Sequence, residues 1–159
     1  DMTIHDFDMA RYLAGDIVEV QAMGANLIDH GIKEIGDIDA AMIVLRAASG
    51  ALVHINNSRR CAYGYDQRFE VLGSAGMLQA GNHRPSEVVQ SDASGVHADK
   101  PEHFFLQRYR EAYRLELAHF FDGLQTGKPF RSTIADGVAA QKLADAAAQS
   151  LESGQVVRL

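Results

Sequence analysis

Asp37-Ile-Asp-Ala-Ala-Met-Ile-Val-Leu-Arg-Ala-Ala-Ser-Gly-Ala-Leu-Val-His-Ile-Asn-Asn-Ser-Arg59 is the stretch on which the fold turns. Residues 37–47 and 51–59 are two runs rich in branched apolar side chains. Between them Ala48-Ser49-Gly50 offers a glycine where a tight turn demands a positive φ, so the segment predicts a β-hairpin. Met42, Val44, Val53 and Ile55 place apolar groups on both of its faces. One face can be covered by helices of the same chain; the other predicts contact with a second copy.

Upstream, apolar Ile17, Val18 and Val20 alternate with polar Glu19 and Gln21, which predicts a strand over 17–23. A helix over 3–13 precedes it and stops at Ala14-Gly15, with Gly15 placed to cap its C-terminus. Residues 24–36 carry little periodicity and predict a loop. Downstream, strands are expected over 66–72, 77–80 and 86–91, with a tight turn at Gly73-Ser-Ala-Gly76 and a polar loop over 93–99. Pro101 suits a first helical turn. The stripe Tyr109, Ala112, Tyr113, Leu117, Phe120, Phe121 and Leu124 predicts an amphipathic helix. Glu116 sits on that stripe and, if buried, needs a partner such as Arg108 or Arg110. Thr133 and Asp136 form a capping box for an alanine-rich helix to Gln149, and 155–159 predicts a closing strand. The order of elements gives an α+β fold, a mostly antiparallel open sheet with helices packed on one face.

At 159 residues the chain is one domain's worth of sequence, long enough for a real core. A net charge of −6 argues against nucleic acid or an anionic membrane as partner. Cys61 is the single cysteine, so no disulfide forms within the chain and a reducing, cytoplasmic setting fits. No apolar run approaches membrane-spanning length. Asp1 stands directly before a helical pattern, which predicts a chain entered partway through a longer protein.

Two places carry chemistry. Asp1 and His5 are one helical turn apart and would project together, with Asp8 a further turn along. An imidazole among carboxylates is equipped for proton transfer near neutral pH. The spacing alone equally admits an ordinary solvated helix face or a metal-binding pair. Tyr63-Gly64-Tyr65-Asp66 is the second place. If extended, it would set two phenols on one face, with Gly64 admitting another backbone or a ligand between them. Two hydroxyls beside a gap suit a polyhydroxylated ligand; a tyrosine pair packed on the sheet is the plainer reading. No G-x-G-x-x-G follows a strand, so no dinucleotide-binding unit is expected in this chain. Nor do the remaining histidines show metal-ligand spacing, and no metal is expected.

Longer motifs add a resemblance. Asp1-Met-Thr-Ile-His5-Asp-Phe-Asp-Met-Ala-Arg-Tyr-Leu resembles the catalytic helix of inositol dehydrogenases, in the glucose–fructose oxidoreductase and inositol dehydrogenase family. The likeness continues through Gly36-Asp-Ile-Asp-Ala-Ala-Met and Asn57-Ser-Arg-Arg-Cys-Ala-Tyr-Gly-Tyr-Asp-Gln-Arg-Phe-Glu-Val-Leu-Gly-Ser-Ala-Gly-Met77. It runs on to Arg108-Tyr-Arg-Glu-Ala-Tyr-Arg-Leu-Glu116 and Thr133-Ile-Ala-Asp-Gly-Val-Ala-Ala140. The resemblance covers essentially the whole chain.

It implies the C-terminal domain, like that of dihydrodipicolinate reductase, of an NAD-dependent enzyme oxidising a ring hydroxyl of myo-inositol or a related polyol to the ketone. Residues 1–159 would then be a substrate-binding and oligomerisation domain, assembled as a homotetramer, with the NAD-binding Rossmann domain absent from this chain. By the same resemblance His5 and Asp1 match the family's catalytic histidine and aspartate, while Tyr65, with Tyr63, matches a substrate-contacting pair. The family's lysine lies in a Glu-Lys-Pro motif of the other half. Asp99-Lys100-Pro101 imitates that motif, but in a loop after the sheet where no Rossmann crossover could place it. Another sugar or polyol substrate, or a non-catalytic ligand-binding or assembly module, are the alternatives.

Overall fold

The structure is a computed structural model that describes residues 2–159. They fall into two compact units, one built from residues 2–60 and 131–159, the other from Cys61–Phe130.

The first unit is a four-stranded antiparallel sheet with two helices on one face. Its strands are β1 (Ile17–Ala25), β2 (Ala40–Ala47), β3 (Leu52–Ser58) and β8 (Val157–Arg158), in the order β3-β2-β1-β8. The hairpin falls where the sequence places it, with Ile43 opposite Ile55 and Val44 opposite His54. Alternation then sorts the side chains. Val20, Ile43, Leu45 and Ile55 face inward and are buried, whereas Met23, Met42, Val44 and Leu52 lie on the outer face, exposed. Helices α1 (Thr3–Ala14) and α5 (Ile134–Ser153) cover the inner face, contributing Phe7 and Ala10 from one, Leu143, Ala146 and Ala147 from the other. The capping box of α5 forms as its sequence predicts, with Thr133 and Asp136 exchanging side-chain and backbone bonds.

Residues 24–36 are more ordered than a loop. Pairing of Gly24 and Ala25 with Ala41 and Ala40 extends β1, and a single helical turn, α2 (His30–Glu34), follows. The organiser is Asp39, whose buried carboxylate accepts backbone N–H bonds from Leu27, Ile28 and Asp29 at 2.8–2.9 Å. Burial alone would raise its pKa, but the backbone bonds together outweigh burial and hold it below the ordinary value.

The second unit carries two hairpins, β4 (Phe69–Gly73) with β5 (Gly76–Ala80) and β6 (Val89–Asp92) with β7 (Gly95–Ala98), then helices α3 (Phe105–Arg108) and α4 (Arg110–Thr126). Two expectations are corrected here. The polar segment 93–99 is not all loop, because β7 forms by main-chain pairing that needs no apolar alternation. Pro101 stands in an irregular connection, and the helix begins only at Phe105. Glu116 is exposed on α4, so burial places no demand for a partner on it. Among the described residues no helix is long and apolar enough to cross a membrane.

Ser150 closes an edge. Beyond the two-residue β8, β1 has no strand on that side. There the fully buried Ser150 hydroxyl accepts from the Ala22 N–H at 3.0 Å and donates to the Gln155 carbonyl at 2.7 Å. Ser150→Ala leaves a buried N–H unsatisfied and is expected to cost about 1–3 kcal/mol. Urea unfolding of the variant checks this; an unchanged midpoint would show that the edge is satisfied some other way.

Candidate active-site residues and family

His5 occupies the first turn of α1, with its backbone N–H on the Met2 carbonyl at 3.3 Å. Phe7, two residues on, is rotated by about 200° and is sunk in the core. Burying Phe7 and Ala10 therefore turns His5 outward, and its imidazole is exposed. Asp1 lies outside the described residues. Asp8 belongs to another partnership. Arg11 reaches it at 3.9 Å and Asp136 of α5 at 3.6 Å, tying the two helices together.

The residues beside His5 that the sequence did not single out are Asp6 and Asn57. Asn57 Nδ2 donates to the Asp6 carboxylate at 3.0 Å, and its Oδ1 accepts from the Thr3 hydroxyl at 2.7 Å. Burial raises the Asp6 pKa, against the opposing pull of the Asn57 bond and the His5 charge. Asp6 was visible as a neighbour of His5. Asn57 was not, because only the pairing of β3 brings it to the inner face. A cavity of about 360 Å³ also lies in this unit, lined mainly by apolar groups such as Met2, Phe7, Ile38 and Leu151. His5 is not among its walls.

In the second unit the tyrosines depart from the extended reading. Tyr63 sits in a turn and Gly64 has φ +132°, so the two phenols are not set on one strand face. Gly64 does admit another backbone, as its spacing allows. A Cβ there would stand 2.7 Å from the Pro101 carbonyl oxygen and 3.2 Å from that of Glu102. The Glu102 carbonyl instead accepts the Tyr65 N–H at 2.8 Å.

Tyr63 donates its hydroxyl to Asp66. The same carboxylate takes two bonds from Arg68, at 2.6 and 2.9 Å, and one from Asn82 at 2.7 Å. Chiefly through Arg68, Asp66 is pulled down to about 2, and Tyr63 is pushed well above the usual phenol range because ionising it would set a second anion against Asp66. Tyr65 takes a different neighbour. Its ring meets Tyr109 edge-on at 5.7 Å, with the hydroxyls 3.5 Å apart, and the Arg108 guanidinium lies 5.6 Å from the Tyr109 ring centre. Tyr109, read from sequence only as part of an apolar stripe, thus brings a hydroxyl beside that of Tyr65. Tyr63 and Asp66 thus share one set of polar bonds, and Tyr65 and Tyr109 another.

Every strand pair among the described residues is antiparallel, so they contain no β-α-β unit that could hold a dinucleotide. No group of three or more His, Cys, Asp or Glu side chains among them converges on a metal position. Lys100 is exposed in the connection after β7.

A titration tests the polar cluster. Asp66 is depressed in the fold, so its contribution to stability is present above the unfolded carboxylate pKa, about 3.9, and is lost as pH falls toward 2. Its carboxyl carbon resonance is expected to stay flat down to about pH 3 (from the same linkage). A midpoint near 4 would mean that the Arg68 and Tyr63 bonds do not persist in solution.

Residues 1–79 match the profile of the GFO/IDH/MocA C-terminal domain. The chain is 49% identical, over its full length, to 48% of the myo-inositol 2-dehydrogenase of Thermotoga maritima. It is 45% identical, over 95% of its length, to 46% of the inositol 2-dehydrogenase of Rhizobium meliloti. Among solved structures, a myo-inositol dehydrogenase from Corynebacterium glutamicum superposes with a TM-score of 0.96 at 48% identity, covering all of this chain and 48% of that one. The chain therefore spans about half the length of the relatives it matches, and corresponds to their C-terminal half. With this fold, the His5 helix and these matches together, the chain belongs to the GFO/IDH/MocA family and carries its C-terminal domain.

Proposed function

We propose that this chain is the substrate-binding and assembly half of an NAD-dependent inositol 2-dehydrogenase, oxidising a ring hydroxyl of myo-inositol or a related polyol to the ketone. The observation that carries the reading is the first turn of α1, where His5 is exposed while its neighbours Thr3 and Asp6 are fastened to the sheet. NAD is assigned to the half of the relatives that this chain does not match. The chain's own part is proton transfer: the neutral imidazole of His5 accepts the proton of the reacting hydroxyl. Asp1 is assigned the orientation of substrate and support of the imidazolium. Tyr65 and Tyr63 are assigned to ring hydroxyls. With its proton committed to Asp66, Tyr63 would act as an acceptor. The isolated chain is expected to be inactive, and a cytoplasmic location is proposed from its lone thiol.

In the complete enzyme, His5→Ala is expected to lower kcat for inositol oxidation by about 10²–10⁴ while leaving NAD affinity nearly unchanged. Lys100→Ala is expected to be close to neutral. Steady-state kinetics of the two variants decide the matter. A His5→Ala enzyme with near wild-type kcat would end the general-base assignment, and a crippled Lys100→Ala enzyme would mean that the wrong half carries the lysine.

Assembly is proposed through the outer face of the four-stranded sheet, where Met23, Met42, Val44 and Leu52 are exposed together, giving a homotetramer. Light scattering at tens of micromolar, about the scale of a moderate association, is expected to show an oligomer that Val44→Glu with Met42→Lys breaks. A clean wild-type monomer would refute the interface.

A further inference from the structure

We propose that Asn57 is a positioning residue for His5, spanning from β3 to the first turn of α1 and fixing the rotation and height at which that turn presents the imidazole. The proposal rests on the reading of His5 as the general base and extends it to the part of the fold that holds the base still.

The first turn needs such an anchor. The residue before α1, Met2, provides no side-chain cap, and the first fully buried side chain of the helix is Phe7, beyond His5. A terminal turn without a cap or a buried residue frays readily. Here two of its residues are held from outside, Thr3 by Asn57 Oδ1 at 2.7 Å and Asp6 by Asn57 Nδ2 at 3.0 Å. They flank His5 in sequence.

The amide is suited to this by its two unlike ends. Asp6, when ionised, only accepts, so it fixes Nδ2 toward itself and leaves Oδ1 for the Thr3 hydroxyl. On β3, Asn57 continues the inward series Val53, Ile55, and pairs across the sheet with Ala41, whose methyl leaves room for a polar side chain. A general base misplaced by about an ångström loses on the order of 10²-fold in rate, so the clamp has a kinetic consequence.

The experiment is a reciprocal swap in the complete enzyme. Asn57→Leu removes both bonds, and Asn57→Asp sets two carboxylates against each other; each is expected to lower kcat with inositol by about 10- to 100-fold with the KM for NAD unchanged. The double variant Asp6→Asn with Asn57→Asp restores a donor–acceptor pair in reversed polarity. The amide, now on the helix, can donate to the carboxylate, now on β3, whose other oxygen still accepts from the Thr3 hydroxyl. The double variant is expected to recover most of kcat. Ser150→Ala, destabilised elsewhere in the same unit, is the control and is expected to keep near wild-type kcat below its Tm. Wild-type kcat in Asn57→Leu or Asn57→Asp, beside a crippled His5→Ala, would overturn the clamp and leave the base assignment standing. So would a double variant no better than Asn57→Asp. Wild-type kcat in His5→Ala would overturn both.

Discussion

Phe7 is 1% exposed, set among Val20, Ile43, Leu45 and Leu143 where α1 and α5 meet the inner face of the sheet. A helix has one rotation about its axis, and burying Phe7 and Ala10 uses it up. Everything else on α1 follows by geometry. His5 points outward, Arg11 reaches the capping residue Asp136 of α5, and Thr3 and Asp6 come within bonding distance of β3. Replacing Phe7 by alanine would remove a side chain whose burial carries about 3–5 kcal/mol and, with it, the reference against which His5 is aimed.

The second unit is held on different terms. Its loop from Cys61 to Arg68 is ordered by directional bonds instead of a sealed core. One carboxylate, Asp66, gathers a phenol, a guanidinium and an amide, and a glycine lets two backbones close on each other. Many of its apolar side chains stay exposed, among them Leu117, Phe121 and Leu124 on α4. Such a surface is poorly suited to stand bare in water.

Periodicity carried the sequence reading wherever a side chain had to choose a face. The hairpin around Gly50, the strand at β1, α1 and the stripe of α4 each have a repeat of two or nearly four, and each is present close to its expected bounds. The capping box was legible because it is local, four residues deciding among themselves. Where main-chain pairing or a distant partner decides, the repeat is too short to read or missing. Residues 95–98 offer only Val96 and Ala98 about His97, inside a polar segment, and are set by pairing with β6, while residues 24–36 take their shape from Asp39, which the sequence shows only as one more acid in a strand.

The candidate site divides along the same line. His5 was legible because its chemistry and its place on a helix both follow from neighbouring residues, and the Tyr63-Gly64-Tyr65 motif drew notice for its residue types. Its geometry was not legible. Gly64 adopts φ +132° because a connection more than thirty residues away lies against it, and that bend sends Tyr63 to Asp66 while Tyr65 meets Tyr109. Asn57 likewise reads as an unremarkable polar residue at a strand end. The sequence by itself determined which elements form and which side chains could do chemistry, because those are properties of local periodicity and of functional groups. Only the tertiary structure decided which groups meet, because contacts such as Asn57 to Asp6 depend on strand register and helix rotation, which the burial of the whole core sets at once.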